Sequence, residues 1–144
     1  MSLVTVKDAK GNFFDRQRII GAVDAATRKV LSRFGAFVRT RARTSIRKRK
    51  GTSPPAGPPY SHVGTLRKLI FFGYDAGAKS VVIGPTLSNS PTGAPENLEY
   101  GGSSDIPQRK GPPVRAAIQP RPYMGPAIKA ELPSLPPLWR DSVR

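Results

Sequence analysis

Between Asp15 and Lys50 the apolar residues recur in steps of three and four: Ile19, Val23, Ala26, Val30, Phe34 and Phe37, widened by Ile20, Leu31, Val38, Ala42 and Ile46. That spacing lays one continuous apolar stripe on an α-helix and predicts a helix over 15–50. Asp15, just after the Gly11-Asn12 break, is the N-cap, and Gly51 with Pro54 and Pro55 supplies the stop. At ~1.5 Å per residue such a helix extends roughly 50 Å, more than a chain of 144 residues needs for its own core. It either carries the other elements along its length or projects beyond them. On this register Phe37 is buried, and an aspartate there is expected to unfold the chain through an unpaired charge. Gly21 and Gly35 each cost the helix up to about 1 kcal/mol relative to alanine. Their presence points to a packing reason, because another backbone can approach closely at a glycine.

From Arg39 onward the character of this segment changes. Arg39, Arg41, Arg43, Arg47, Lys48, Arg49 and Lys50 put seven cations in twelve positions with no acid among them. Cations facing the negative end of a helix dipole contribute about 0.3–1 kcal/mol each, which accounts for two or three residues in a last turn and not for seven. The whole chain carries a formal charge of +15, and self-repulsion of that size destabilises a compact monomer unless an anionic partner offsets it. Nucleic acid, an acidic protein surface and an anionic membrane are the candidates. The membrane is the weakest, since no apolar run approaches the ~18 residues a span requires and no signal-peptide pattern opens the chain. We therefore read 39–50 as facing DNA or an acidic partner. Base-specific recognition is not expected, because neither a helix-turn-helix nor a zinc finger is present and aromatic residues are not interleaved with the cations.

The length allows one domain with a modest core. The 16 prolines and 14 glycines gather in 51–64 and 84–137, so the second half is expected to be rich in loops. In order, the segments are an N-terminal strand or arm over 1–14, with Ser2 to Val6 β-branched; the helix over 15–50; and a proline-rich loop over 51–64, read as a stiff spacer or a flexible connection. The sheet and a short helix occupy 65–132, and a tail covers 133–144. Within them, Thr65 to Leu69 reads as one helical turn or a strand lead-in. Ile70–Tyr74 and Lys79–Ile83 flank a glycine-containing turn and predict a β-hairpin whose Phe71, Phe72 and Tyr74 are core and sheet-face residues. Residues 86–97 read as a loop, Val114–Ile118 as a further strand, and Tyr123–Leu132 as a helix with Pro126 in its first turn. The expected fold is α+β: one long N-terminal amphipathic helix packed on a small antiparallel sheet of three to four strands, with short C-terminal helices and extended loops.

Candidate chemistry is sparse. The chain has no cysteine and one histidine, His62, and its nine acids show no metal-ligand spacing. Neither a Gly-x-Ser-x-Gly nucleophile elbow nor a phosphate-cradling glycine loop occurs. Glu96 and Glu99, three apart beside a loop, are read as capping or sheet-edge residues. No catalytic, cofactor-binding or metal-ligating residue is expected, and no enzyme. Trp139, near the end of a proline-rich tail, either pins that tail to its own domain or inserts into a neighbouring subunit, and we favour the second.

Several segments together resemble the tail-completion or head-tail joining proteins of long-tailed phages. They are Gly35-Ala36-Phe37-Val38-Arg39 with Ala42 and Ser45-Ile46; Ser53-Pro54-Pro55-Ala56-Gly57-Pro58-Pro59 running into His62-Val63-Gly64-Thr65-Leu66; Ser80-Val81-Val82-Ile83-Gly84-Pro85; Leu98-Glu99-Tyr100-Gly101-Gly102; Arg121-Pro122-Tyr123-Met124-Gly125-Pro126-Ala127; and Leu138-Trp139-Arg140-Asp141-Ser142. Each is weak alone; their order and spacing across nearly the whole chain carry the likeness. The resemblance implies a non-enzymatic virion protein, assembled in the host cytoplasm, that forms a sixfold ring in the neck between portal and tail. Its partners would be copies of itself, adjacent connector and tail proteins, and genomic DNA in the lumen, with no membrane and no small-molecule substrate. Leu98, Glu99, Tyr100, Arg121, Tyr123, Met124 and Trp139 would then lie at subunit interfaces, and the cations of 39–50 would face DNA or acidic surfaces of adjacent rings. A tail terminator, a head-closure ring and a non-specific DNA-binding protein are the alternatives.

Overall fold

The computed structural model describes residues 16–86, 94–140 and 142. The expected strand or arm at Ser2–Val6, the Asp15 cap and part of the 86–97 loop lie outside them. Helix α1 runs Arg16–Ser45, and what it buries is a row with a strict step of four: Ala26, Val30, Phe34, Val38 and Ala42, continued by Ile46 just past its end. A four-step row is inclined to the helix axis, so the buried surface turns slowly around α1 and is narrower than the stripe of threes and fours. Phe37 falls outside that row. It is 37 % exposed, with the Arg33 guanidinium 5.8 Å from its ring centre, which corrects its assignment to the core; Val38, fully buried, is the core residue. Ile19, Ile20 and Val23 are likewise about half exposed, at 50, 48 and 45 %.

The helix also ends earlier than its periodicity implies, at Ser45 and not near Lys50. Thr44 and Ser45 turn their hydroxyls back to the carbonyls of Thr40, Arg41 and Ala42, a side-chain-to-backbone pattern that weakens a helix. Continuing the helix would also have stacked Arg43, Arg47 and Lys50 at like-charge spacings of three and four.

After the single turn α2 (Thr65–Lys68), strands β1 (Ile70–Asp75) and β2 (Ser80–Pro85) form an antiparallel hairpin in which Phe72 pairs with Ile83 and Tyr74 with Val81. The Asp75 carboxylate accepts hydrogen bonds from the amides of Gly77 and Ala78 and so closes the turn. The hairpin lies along α1 and is tied to it at both ends: Arg39 Nε donates to the Ile70 carbonyl at 3.0 Å, and Lys79 Nζ, in the turn, to Asp24 Oδ1 at 2.7 Å. Ile19, Ile20 and Val23 therefore lie on the turns beyond the Asp24 tie.

Between those ties sits Gly35. A Cβ built there would lie 2.8 Å from Val81 Cγ2 and 2.9 Å from Phe72 Cδ2, so hairpin side chains, not a backbone, occupy the space. At Gly21 nothing lies within 4 Å, and the packing reason fails there. Gly35→Ala is expected to destabilise the fold by about 1–2 kcal/mol, overpacking outweighing the gain in helix propensity. Gly21→Ala is expected to stabilise it by up to about 1 kcal/mol. Paired urea titrations check both signs.

The two hairpin strands and the expected strand at Val114–Ile118 are present, but the strands form two separate two-stranded sheets and not one, and the fourth, at Gly102–Ile106, forms where the sequence predicts no strand. Helix α3 (Ala94–Tyr100) leads into β3 (Gly102–Ile106), which pairs antiparallel with β4 (Val114–Ile118), Ser104 opposite Ala116. Helix α4 (Met124–Glu131), a 3-10 turn at Leu132–Ser134 and α5 (Leu135–Arg140) follow. The core joins Phe34, Val38, Ala42 and Ile46 to Ile70, Tyr123 and Ala127, with Leu66, Val81, Ile83, Leu98, Met124, Ile128, Leu135 and Leu138 packed against it. The fold is thus α+β, its long helix held between a hairpin and the C-terminal helices.

Candidate functional site

The seven cations of 39–50 divide into two groups. Arg39 Nε donates to the Ile70 carbonyl at 3.0 Å, and its guanidinium lies 5.7 Å over the Phe71 ring. Arg41 forms an ion pair with Glu131 on α4. Arg43 reaches the carbonyls of Arg67 and Lys68 at the end of α2. These three staple α1 to its neighbours. Arg47, Lys48, Arg49 and Lys50 lie past the helix in an exposed loop, so the expected cationic helix tip is a cationic loop.

That loop is anchored at both ends. Arg47 forms a parallel bridge with Tyr60, in which the Ser61 amide donates to the Arg47 carbonyl at 3.0 Å. Gly51 takes φ +97°, a left-handed conformation that favours glycine, and its carbonyl accepts from His62 Nε2 at 3.0 Å. This bond assigns His62 a structural part. The proline-rich segment beyond is neither spacer nor free loop. Ser53, Pro59 and Ser61 are buried, the Ala56 amide donates to the Pro120 carbonyl, and Arg121 Nε donates to the Ser53 carbonyl.

A second constellation joins two of the sequence motifs. The Glu99 carboxylate accepts from the amides of Tyr123 (2.9 Å), Met124 (3.0 Å) and Gly125 (2.7 Å) at the start of α4, while the Arg121 amide donates to the Leu98 carbonyl at 2.6 Å. A helix begins with four amides that have no partner inside it. Glu99 takes three, and the fourth position, Pro126, has no N–H to satisfy. The carboxylate also sits at the positive end of the α4 dipole. Burial, then the nearby Glu99 charge, push the Tyr123 phenol up to about 12. A phenol raised in the folded state stabilises fully below its unfolded value near 10 and loses that contribution as pH rises toward 12. The fold is expected to lose about 1–2 kcal/mol across that window, and Tyr123→Phe is expected to flatten the loss in alkaline melting curves.

Of the residues expected at subunit interfaces, Leu98, Glu99, Arg121, Tyr123 and Met124 make these intramolecular contacts, whereas Tyr100 (80 % exposed) and Trp139 (38 %) present large side chains to solvent. An open groove of about 670 Å³ between α1 and the C-terminal helices is lined by Phe37, Thr40, Arg41, Thr44, Glu131 and Ser134; its one carboxylate is paired to its one guanidinium. Among the described residues no group of three or more His, Cys, Asp or Glu converges on a point, and no helix is long and apolar enough to cross a membrane. The sequence does not show the reach of Glu99 to residues 24–26 positions away or the Arg39 and Arg43 staples; only Pro126, which has no N–H to donate, hints at the first. Comparison with protein-family models, curated proteins and solved structures gives no match for this chain.

Proposed function

We propose that this chain is a structural subunit of the phage neck, a tail-completion or head-tail joining protein that closes into a ring around the DNA channel. The motif series along the chain supports this reading, and one structural observation carries it. The apolar stripe of α1 continues past the Asp24 tie onto turns where Ile19, Ile20 and Val23 stand about half exposed. A run of apolar side chains left half open at the end of a long helix is surface suited to association. Exposed Tyr100 and Trp139 supply aromatic anchors of the kind interfaces favour. A ring in which each rod end meets the next subunit covers such surfaces through a head-to-tail contact that closes by rotation.

In a virus that encodes this chain, removing it is expected to yield filled heads and finished tails that do not join, visible by electron microscopy. Normal, infectious particles without it contradict the reading.

A further inference from the structure

We propose that the loop Arg47–Lys50 is a contact for the phosphodiester backbone of duplex DNA, made without regard to base sequence. This names a partner for the neck subunit's basic surface and rests on the neck reading for where the two would meet. The chemistry is the loop's own. With Arg39, Arg41 and Arg43 committed to carbonyls and to Glu131, four consecutive exposed cations stand together. Among the described residues no acid forms an ion pair with them: no acid occurs between Asp24 and Asp75 in the sequence, Asp24 and Glu131 are paired elsewhere, and Asp75 and Glu99 cap backbone amides. The α1 C-terminus contributes only about half a negative charge, far less than four positive ones.

The occupant follows from what the loop has and lacks. Four residues span roughly 10–13 Å, against one DNA charge per ~1.7 Å of duplex axis, so each cation can find a phosphate. Residues 47–52 hold no apolar side chain to anchor a protein interface. Single strands call for open aromatic faces on which bases stack, and the nearest ring, Tyr60, already has the Arg49 guanidinium 5.5 Å over it. The Arg47–Tyr60 bridge and the His62–Gly51 bond hold the loop in place, so little ordering cost remains on binding.

The test compares the full-length chain with two variants of equal net charge. One carries Arg47→Ser, Lys48→Ser, Arg49→Ser and Lys50→Ser; the other carries Arg28→Ser, Lys29→Ser, Lys129→Ser and Arg140→Ser, all at exposed positions away from the loop. Binding to a duplex of random sequence is measured against salt. For the loop variant the slope of log affinity against log salt is expected to become shallower by about 3, with roughly a hundredfold or greater loss at low salt; the matched variant changes by less than 1. Should the loop variant fail to fold by circular dichroism, Lys48→Ser with Lys50→Ser is expected to show about half the slope change. Equal losses in both variants, no duplex binding by the parent chain, or tighter binding to polyglutamate than to duplex at matched salt overturns the assignment. Sedimentation of the same samples separates the two claims. Rings with an unchanged slope reject the DNA contact alone, and a parent chain that binds DNA as a monomer rejects the neck reading.

Discussion

Val38→Asp is expected to abolish folding, while Phe37→Asp, one residue earlier, is expected to give a folded protein. Val38 is fully buried among Phe34, Ala42, Ile46, Ile70 and Tyr123. An aspartate there must stay charged without a partner or take up a proton, because the neighbouring guanidiniums of Arg39, Arg41 and Arg43 are held elsewhere by carbonyls and Glu131. The penalty is several kcal/mol, to which the loss of the valine contacts adds a further 1–2 kcal/mol. Together these consume most of the 5–15 kcal/mol by which a domain is ordinarily stable. At position 37 the new carboxylate reaches water and lies near Arg33, so only partial burial and some helix propensity are lost, about 1–2 kcal/mol. Circular dichroism melts of both variants decide the matter: a cooperative native-like melt for Val38→Asp, or an unfolded Phe37→Asp, means that the buried row of α1 is misassigned.

Glu99→Ala is expected to cost about 3 kcal/mol. It leaves three amides at the start of α4 without their acceptor, and charge-assisted bonds of this type contribute about 1.5–3 kcal/mol each when buried and less when water can replace them. Because Tyr123 and Ala127 bring α4 into the core, fraying this end loosens the attachment of α4 and α5 to α1. Glu99→Gln keeps an acceptor without the charge and is expected to lose about half as much. Chemical denaturation of the three proteins gives the order, and hydrogen exchange of the Met124 and Gly125 amides locates the effect. An alanine variant as stable as the parent chain would show that the cap is replaceable by solvent.

These two residues also mark where the sequence is informative and where it stops. Ala26, Val30, Phe34, Val38, Ala42 and Ile46 could be found because a helix repeats its environment every few residues, so burial writes a local pattern. Ile70–Tyr74 and Lys79–Ile83 were legible for a similar reason, a glycine-containing turn between β-rich runs. Phe37 was not separable from Val38, because both suit an apolar face and only the tilt of the neighbours on α1 decides which is covered. The end of α1 was misplaced because good helix formers at Arg47–Lys50 outweighed, in a local reading, the pull of the Tyr60 bridge thirteen residues away. The second sheet stood apart from the first because β3 and β4 pair only with each other, a relation that strand propensity does not encode.

The candidate site shows the same division. Seven cations were visible as a charge run, but which of them are structural depends on the carbonyls of Ile70 and Arg67, 31 and 24 residues away. Glu99 reads from the sequence as a capping or sheet-edge residue, and the helix it caps begins far downstream. In each case the residue type was informative and the partner was not, because the contact is made by the fold.

The claim on which the account turns is that the exposed end of α1 is completed by copies of the same chain. The most direct measurement is electron microscopy of the purified protein, with class averages taken near 0.15 M salt, where a Debye length of about 8 Å screens the mutual repulsion of chains this basic. The account predicts closed rings, sixfold in projection; single subunits at every concentration and salt would contradict it.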